Sequence, residues 1–245
     1  MKNKTIGGSI LSLLLTTGSF GSARSTQETR VTTENRITIR IHDYARANPS
    51  VLLQAEEVAK DILQQAGVAT VWIECSVDSS ESGNGACPSP LSPLDFVVNL
   101  LPREGSDRLH LPGGVLGIAA QSSSKDFGFA AYAFYDAAGD YAKRHQQDWS
   151  RLLGVVIAHE LGHLLLGTDS HSGAGLMCAS WSPKQLHIAD QGGLKFSDAE
   201  AKQIQAAITL RTLAASARGE LLNVAHGSAH ESMNSPSSSI DSRVF

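Results

Sequence analysis

The sequence predicts a mixed α and β chain, and three observations predict it. Short alternating or β-rich runs recur between residues 36 and 135, and helix-start signatures stand at Asn48-Pro49 and Ser197. One long stretch, Asp148 to Leu166, is apolar nearly all round. Together they order the chain as strand, helix, four strand segments, long helix and last helix.

Taken in order, Arg36 to His42 (RITIRIH) alternates apolar and polar residues, the pattern of a half-buried strand. Asn48 then reads as an N-cap with Pro49 at the first helical position. The helix that follows carries Leu52, Ala55, Val58, Ala59, Ile62, Leu63 and Ala66 on one face and stops at Gly67. Ala69 to Cys75 is a second strand, and Ser76 to Pro93, rich in Ser, Gly and Pro, is a loop. Leu94 to Leu101, Gly114 to Gln121 and Phe129 to Tyr135 are three further strand candidates. The long helix ends at Gly167, expected to take a left-handed conformation. A loop through Met177 and Trp181 leads to the capping box of Ser197 and Glu200, which starts a helix from Asp198 to about Ala214. Residues 217–245, rich in Ser, Asn and His, are expected to be a disordered tail.

An apolar fraction of 42% supports a proper core, and a formal charge of −4 with scattered Lys and Arg argues against a nucleic-acid partner. The N-terminus has the layout of a secretory signal over residues 1–23. Lys2 and Lys4 precede an apolar stretch that is too short to span a membrane, and Gly21, Ser22 and Ala23 offer a cleavage site. Residues 24–35 are a loose segment. Of three cysteines, Cys75 and Cys87 flank the loop and are expected to form a disulfide, which suits a secreted or periplasmic location, while Cys178 is left as a buried thiol.

The chemistry concentrates in His159-Glu160-Leu161-Gly162-His163. Residues i and i+4 share a helix face, so two imidazoles there can grip one metal. Glu160 stands beside it as a general base, and such polar groups are costly on an apolar helix unless something satisfies them. A catalytic zinc commonly keeps three protein ligands and one open position. Downstream, Asp169 and His171 are both candidates for the third.

This run, with His171 and the Gly175-Leu176-Met177 segment, resembles the metzincin clan of zinc metalloproteases, whose H-E-x-x-H-x-x-G-x-x-H motif is followed by a methionine in a tight turn. The resemblance implies a zincin fold: a twisted, mostly parallel five-stranded sheet with two long helices, a Met-turn and a C-terminal helix, within a catalytic domain of residues 36–216. It implies Zn2+ as cofactor, Met177 as structural support, and hydrolysis of a protein or peptide by a metal-activated water with Glu160 as general base. It also implies that substrate adds a strand along Gly114 to Gln121. The protein is expected to be monomeric.

The spacing departs from the clan. Gly167 falls one residue late and His171 two, so that Asp169 stands at the clan's usual distance. A branch similar to snapalysin uses aspartate there. His171 is favoured because the late glycine lengthens the turn; Asp169 is the alternative, and Glu200 would serve in a gluzincin arrangement. Trp181 stands where many clan members carry a tyrosine, with Tyr132 and Tyr135 as candidate donors from the sheet. Two other functions stay open: an aminopeptidase or amidase on the same site, and a silent zinc-binding protein with Asp169 or Cys178 as a fourth ligand. His42, His110, His145 and His187 are isolated in sequence and read as surface or hydrogen-bonded histidines.

Overall fold

The computed structural model describes residues 35–77, 87, 91–112, 114–120, 129–167 and 170–231. The expected signal, nearly all of the loose segment, most of the Ser76 to Pro93 loop and Asp169 lie outside the described residues. In chain order the elements are β1 (Arg36–Asp43), α1 (Pro49–Gln65), β2 (Ala69–Cys75), β3 (Asp95–Leu101), α2 (Arg103–Arg108), β4 (Gly117–Ala120) and β5 (Ala130–Phe134). Four helices complete it: α3 (Tyr135–His145), α4 (Trp149–Leu166), α5 (Pro183–Asp190) and α6 (Asp198–Glu231).

The chain is mixed α/β, with one five-stranded sheet in the order β2-β1-β3-β5-β4. The first four strands in that order pair in parallel, and β4 closes one edge antiparallel to β5. Strand β1 buries Ile37, Ile39 and Ile41, as its alternation predicts. Its buried Arg40 pairs with buried Asp95 of β3. Cys75 at the end of β2 is disulfide-bonded to Cys87.

Helix α1 begins as its sequence dictates, with the Asn48 side chain accepting from Ser50 N at 3.0 Å. It packs against α4, which also touches α3, α6, β4 and β5. Enclosure on so many sides explains why α4 is apolar nearly all round, with every residue from Leu152 to Leu165 buried. The approach of α1 to α4 requires a glycine, because a Cβ at Gly154 would stand 2.5 Å from the Ala55 carbonyl. Arg211, 1% exposed, fastens α6 to the far end of α4. It donates to the Leu164 carbonyl at 2.9 Å and the Pro93 carbonyl at 3.2 Å, with its guanidinium 4.7 Å over the Phe96 ring.

Several boundaries differ from those expected. Strand β4 starts at Gly117 rather than Gly114. Helix α3 follows β5 with no loop, and its N-cap Phe134 makes no side-chain cap bond, so no start signal marks it in the sequence. Helix α5 does carry a signal: Ser182 and Gln185 form a capping box ahead of Pro183. Helix α6 continues to Glu231 instead of stopping near Ala214, consistent with the strong helix formers (Leu, Ala, Arg, Glu) between residues 213 and 222. Gly167 does end α4, but at φ 106° and ψ 170°, an extended positive-φ conformation rather than the left-handed helical one. Among the described residues no helix is long and apolar enough to cross a membrane.

Candidate metal centre

The helical spacing of α4 sets His159 and His163 on one face, and the chain turning back after Gly167 brings His171 to them. Nε2 of His163 lies 3.0 Å from Nε2 of His159 and 3.2 Å from Nε2 of His171. Among the described residues these three form a group able to hold a metal ion, with no fourth His, Cys, Asp or Glu in it.

The proton on each helix imidazole follows from its other nitrogen. His159 Nδ1 is 2.9 Å from the Leu176 carbonyl, which can only accept, so Nδ1 carries the hydrogen. Ser170 Oγ donates its single proton to the Gly167 carbonyl at 2.7 Å, so it accepts from His163 Nδ1, 2.9 Å away. Both Nε2 atoms are therefore unprotonated in their neutral rings, so their 3.0 Å contact with each other is not a hydrogen bond. Two buried lone pairs facing each other are unfavourable without a cation between them. Imidazole nitrogens sit about 2.0–2.1 Å from zinc, which spaces tetrahedral neighbours roughly 3.3 Å apart. The donor set and its spacing thus fit zinc closely.

Electrostatics agrees. Burial above all, with the neighbouring imidazoles, pulls His159 down to about 4 against the raising effect of its Leu176 bond. Burial and then His171 also lower His163. Both rings are neutral at physiological pH, the form that binds metal. Burial pushes the adjacent Glu160 up to about 8. Its side chain packs on β4 so tightly that a Cβ at Gly117 would stand 2.7 Å from Glu160 Cγ and 2.8 Å from Oε1.

A cleft of about 530 Å3 opens over these groups, with the segment Gly114 to Ala119 along one side and Tyr141, Val156 and Trp181 contributing to its walls. Trp181 Nε1 donates to the Leu176 carbonyl at 3.1 Å, the acceptor that also holds His159. Its ring stands edge-on to His159, 5.5 Å between centroids. Met177 is fully buried in the turn below, its Sδ within 2.6 Å of where a Cβ at Gly162 would be. The backbone closes that turn through Ser172 N donating to the Met177 carbonyl at 2.8 Å.

Other candidates lie elsewhere. Glu200 is occupied by its capping box, accepting from Ser197 N at 2.7 Å. Cys178 lines the cleft but stands outside the metal group, accepting from Gln185 Nε2 at 2.9 Å. Tyr135 turns away, its hydroxyl accepting from Asn48 N at 3.0 Å, and Tyr132 is not in the cleft wall. The tyrosine that is there, Tyr141, belongs to the unsignalled α3, where Tyr135, Ala138 and Ala142 at helical spacing were the available cue. Ser170 carried no cue, because its role depends on where Gly167 turns the chain.

No protein-family model matches the chain, and no curated protein matches it. Among solved structures it is similar to the crystal structure of archaemetzincin (amzA) from Methanopyrus kandleri, at 16% identity and a TM-score of 0.43. That likeness covers 73% of this chain and 99% of the other. It carries no weight in assigning chemistry, which rests on the imidazole triad with a carboxyl beside it at the floor of an open cleft.

Proposed function

We propose that the chain is an extracytoplasmic zinc-dependent endopeptidase with metzincin-like architecture, acting as a monomer on protein or peptide substrates. The observation that carries the reading is the convergence of three imidazoles, with the unprotonated Nε2 atoms of His159 and His163 facing each other, joined by His171 and flanked by Glu160. These three histidines would hold the metal. When bound, zinc supplies Lewis acidity, bringing the pKa of water at an open position to about 7 and polarising a carbonyl.

Glu160 does the proton work in this reading. Burial favours its neutral form, and positive charge alongside restores the carboxylate that can accept a proton from water and return it to the leaving amine. Met177 supports the turn beneath the triad, and Trp181 keeps the Leu176 carbonyl aimed at His159. Strand β4 is an edge strand bordering the cleft, so an extended peptide can add to it and lie across the triad. That open groove favours an endopeptidase over an enzyme that closes around a chain terminus.

The test is zinc content and casein cleavage for the wild type, His171→Ala and Asp169→Ala. The reading expects stoichiometric zinc and proteolysis that are lost only with His171. Loss with Asp169 instead would transfer the third-ligand role to it. Tight zinc with no cleavage of any peptide would turn the site into a structural one.

A further inference from the structure

Among the described residues a second set of metal-ligating side chains converges, far from the triad in the sheet order. The ligand atoms of His42, Cys75 and Cys87 all lie within 4.8 Å of one another. We propose that these three residues form a redox-gated metal site, which takes one thiophilic cation of the zinc class when the Cys75–Cys87 disulfide is reduced.

The placement comes from topology. His42 and Cys75 are register partners on parallel β1 and β2, so their side chains share a face of the sheet. Cys87 arrives from the loop, with its Cα 5.2 Å from that of Cys75. The His42 ring is half-buried and stacks on Tyr44, centroids 6.1 Å apart and planes within 12°, which restricts its orientation. Two sulfurs and one imidazole suit zinc-class ions, and three protein ligands leave a position for solvent. Strand β2 is one edge of the sheet and β4, beside the triad, is the other, so the two sites are separate.

Disulfide and cation compete for the same two sulfur atoms. A dithiol reductant delivers two electrons and two protons, breaking the S–S bond into two thiols while its own sulfurs form a disulfide. Binding a divalent cation then releases both thiol protons to solvent. Re-oxidation by a disulfide compound runs the sequence backwards and expels the metal, so occupancy reports the redox state around the protein.

The experiment is anaerobic cobalt(II) titration of the full chain carrying Cys178→Ser, so that Cys75 and Cys87 are its only sulfhydryl sources. Cobalt at the triad gives ligand-field bands without thiolate charge transfer, and its appearance in the oxidised chain tests that site independently. Reduction with a phosphine should add one further equivalent with a thiolate-to-cobalt band, and re-oxidation should remove both. Adding His42→Ala should weaken this second site at least tenfold. The proposal is overturned if reduction produces no thiolate band, or if the band titrates identically with His42→Ala. A reduced chain that loses its helical circular dichroism and does not regain it with cobalt overturns it equally.

Discussion

The two halves of the triad are built on different principles. His159 and His163 sit in the C-terminal half of α4, buried, each with its Nδ1 hydrogen already committed to an acceptor. His171 comes from an irregular segment and is exposed, and among the described residues no hydrogen bond holds its Nδ1. The helix half is preorganised by packing, whereas the loop half depends on the turn between Gly167 and Met177. Yet the halves are interlocked, since Ser170 and the Leu176 carbonyl, both from the loop side, orient the helix imidazoles. A ligand pair on a rigid helix needs its neighbours chiefly to choose a tautomer; a ligand on a loop needs them to set its position.

The largest effect expected lies on the helix side. Glu160→Gln should lower kcat about a hundredfold to ten-thousandfold while zinc stoichiometry stays at one, read by peptide cleavage and metal analysis. Cleavage near the wild-type rate would remove Glu160 from the chemistry. Gly117→Ala comes next, because its Cβ would collide with the Glu160 side chain. A displacement of about 1 Å can cost about a hundredfold, so kcat should fall by that order with zinc affinity nearly unchanged. An equal loss of zinc would mean that β4 supports the ligands rather than the base.

Smaller effects probe the interlock. Ser170→Ala and Trp181→Phe should each weaken zinc binding by about tenfold to a hundredfold, measured by competition with a chelating dye, because each removes support behind a helix imidazole. If Ser170→Ala leaves zinc affinity intact, the hydroxyl is not what orients His163; if Trp181→Phe does, the Leu176 carbonyl holds His159 without the indole.

The last concerns pH in the metal-free protein. Glu160 is raised from 4.5 to about 8 on folding, so between those values the folded state binds more protons than the unfolded one. This contribution to stability is present at low pH and is lost as pH rises through that window. The neutral Glu160→Gln variant lacks it, so its Tm relative to wild type should climb by roughly ten degrees between pH 5 and 8, at about 1.4 kcal/mol per pH unit and about 2–4 °C per kcal/mol for a chain of this size. Saturating zinc should flatten the trend, and a flat difference without metal would show the carboxyl to be better solvated than its packing implies.

Some of this was legible in the residues alone. The N-cap at Asn48, the capping box of Ser197 and Glu200, the buried α4 and the i, i+4 histidine pair each depend on contacts within a few positions along the chain. The extent of β2 was equally plain, matching Ala69–Cys75 throughout. Helix α3 has no local start signal, because its strand runs directly into it without a cap, whereas α5 carries one in the Ser182–Gln185 box, set within a segment otherwise rich in loop residues. Strand β4 starts later than Gly114 because, among the described residues of that segment, the ladder with β5 runs over Gly117 to Ala120.

What the sequence determined by itself, then, is local: periodicity, caps, and the chemical kinds of side chain brought to one helix face. The tertiary structure alone decided that His171 meets the helix pair, that Ser170 and Leu176 choose their tautomers, and that Tyr141 and Gly117 border the cleft. It also decided that His42, isolated in sequence, lies against two sulfurs. The physical reason is range. Caps and helix faces are fixed by neighbours along the backbone, whereas these contacts join segments whose separation is set only when the sheet register and the α1–α4 packing are complete.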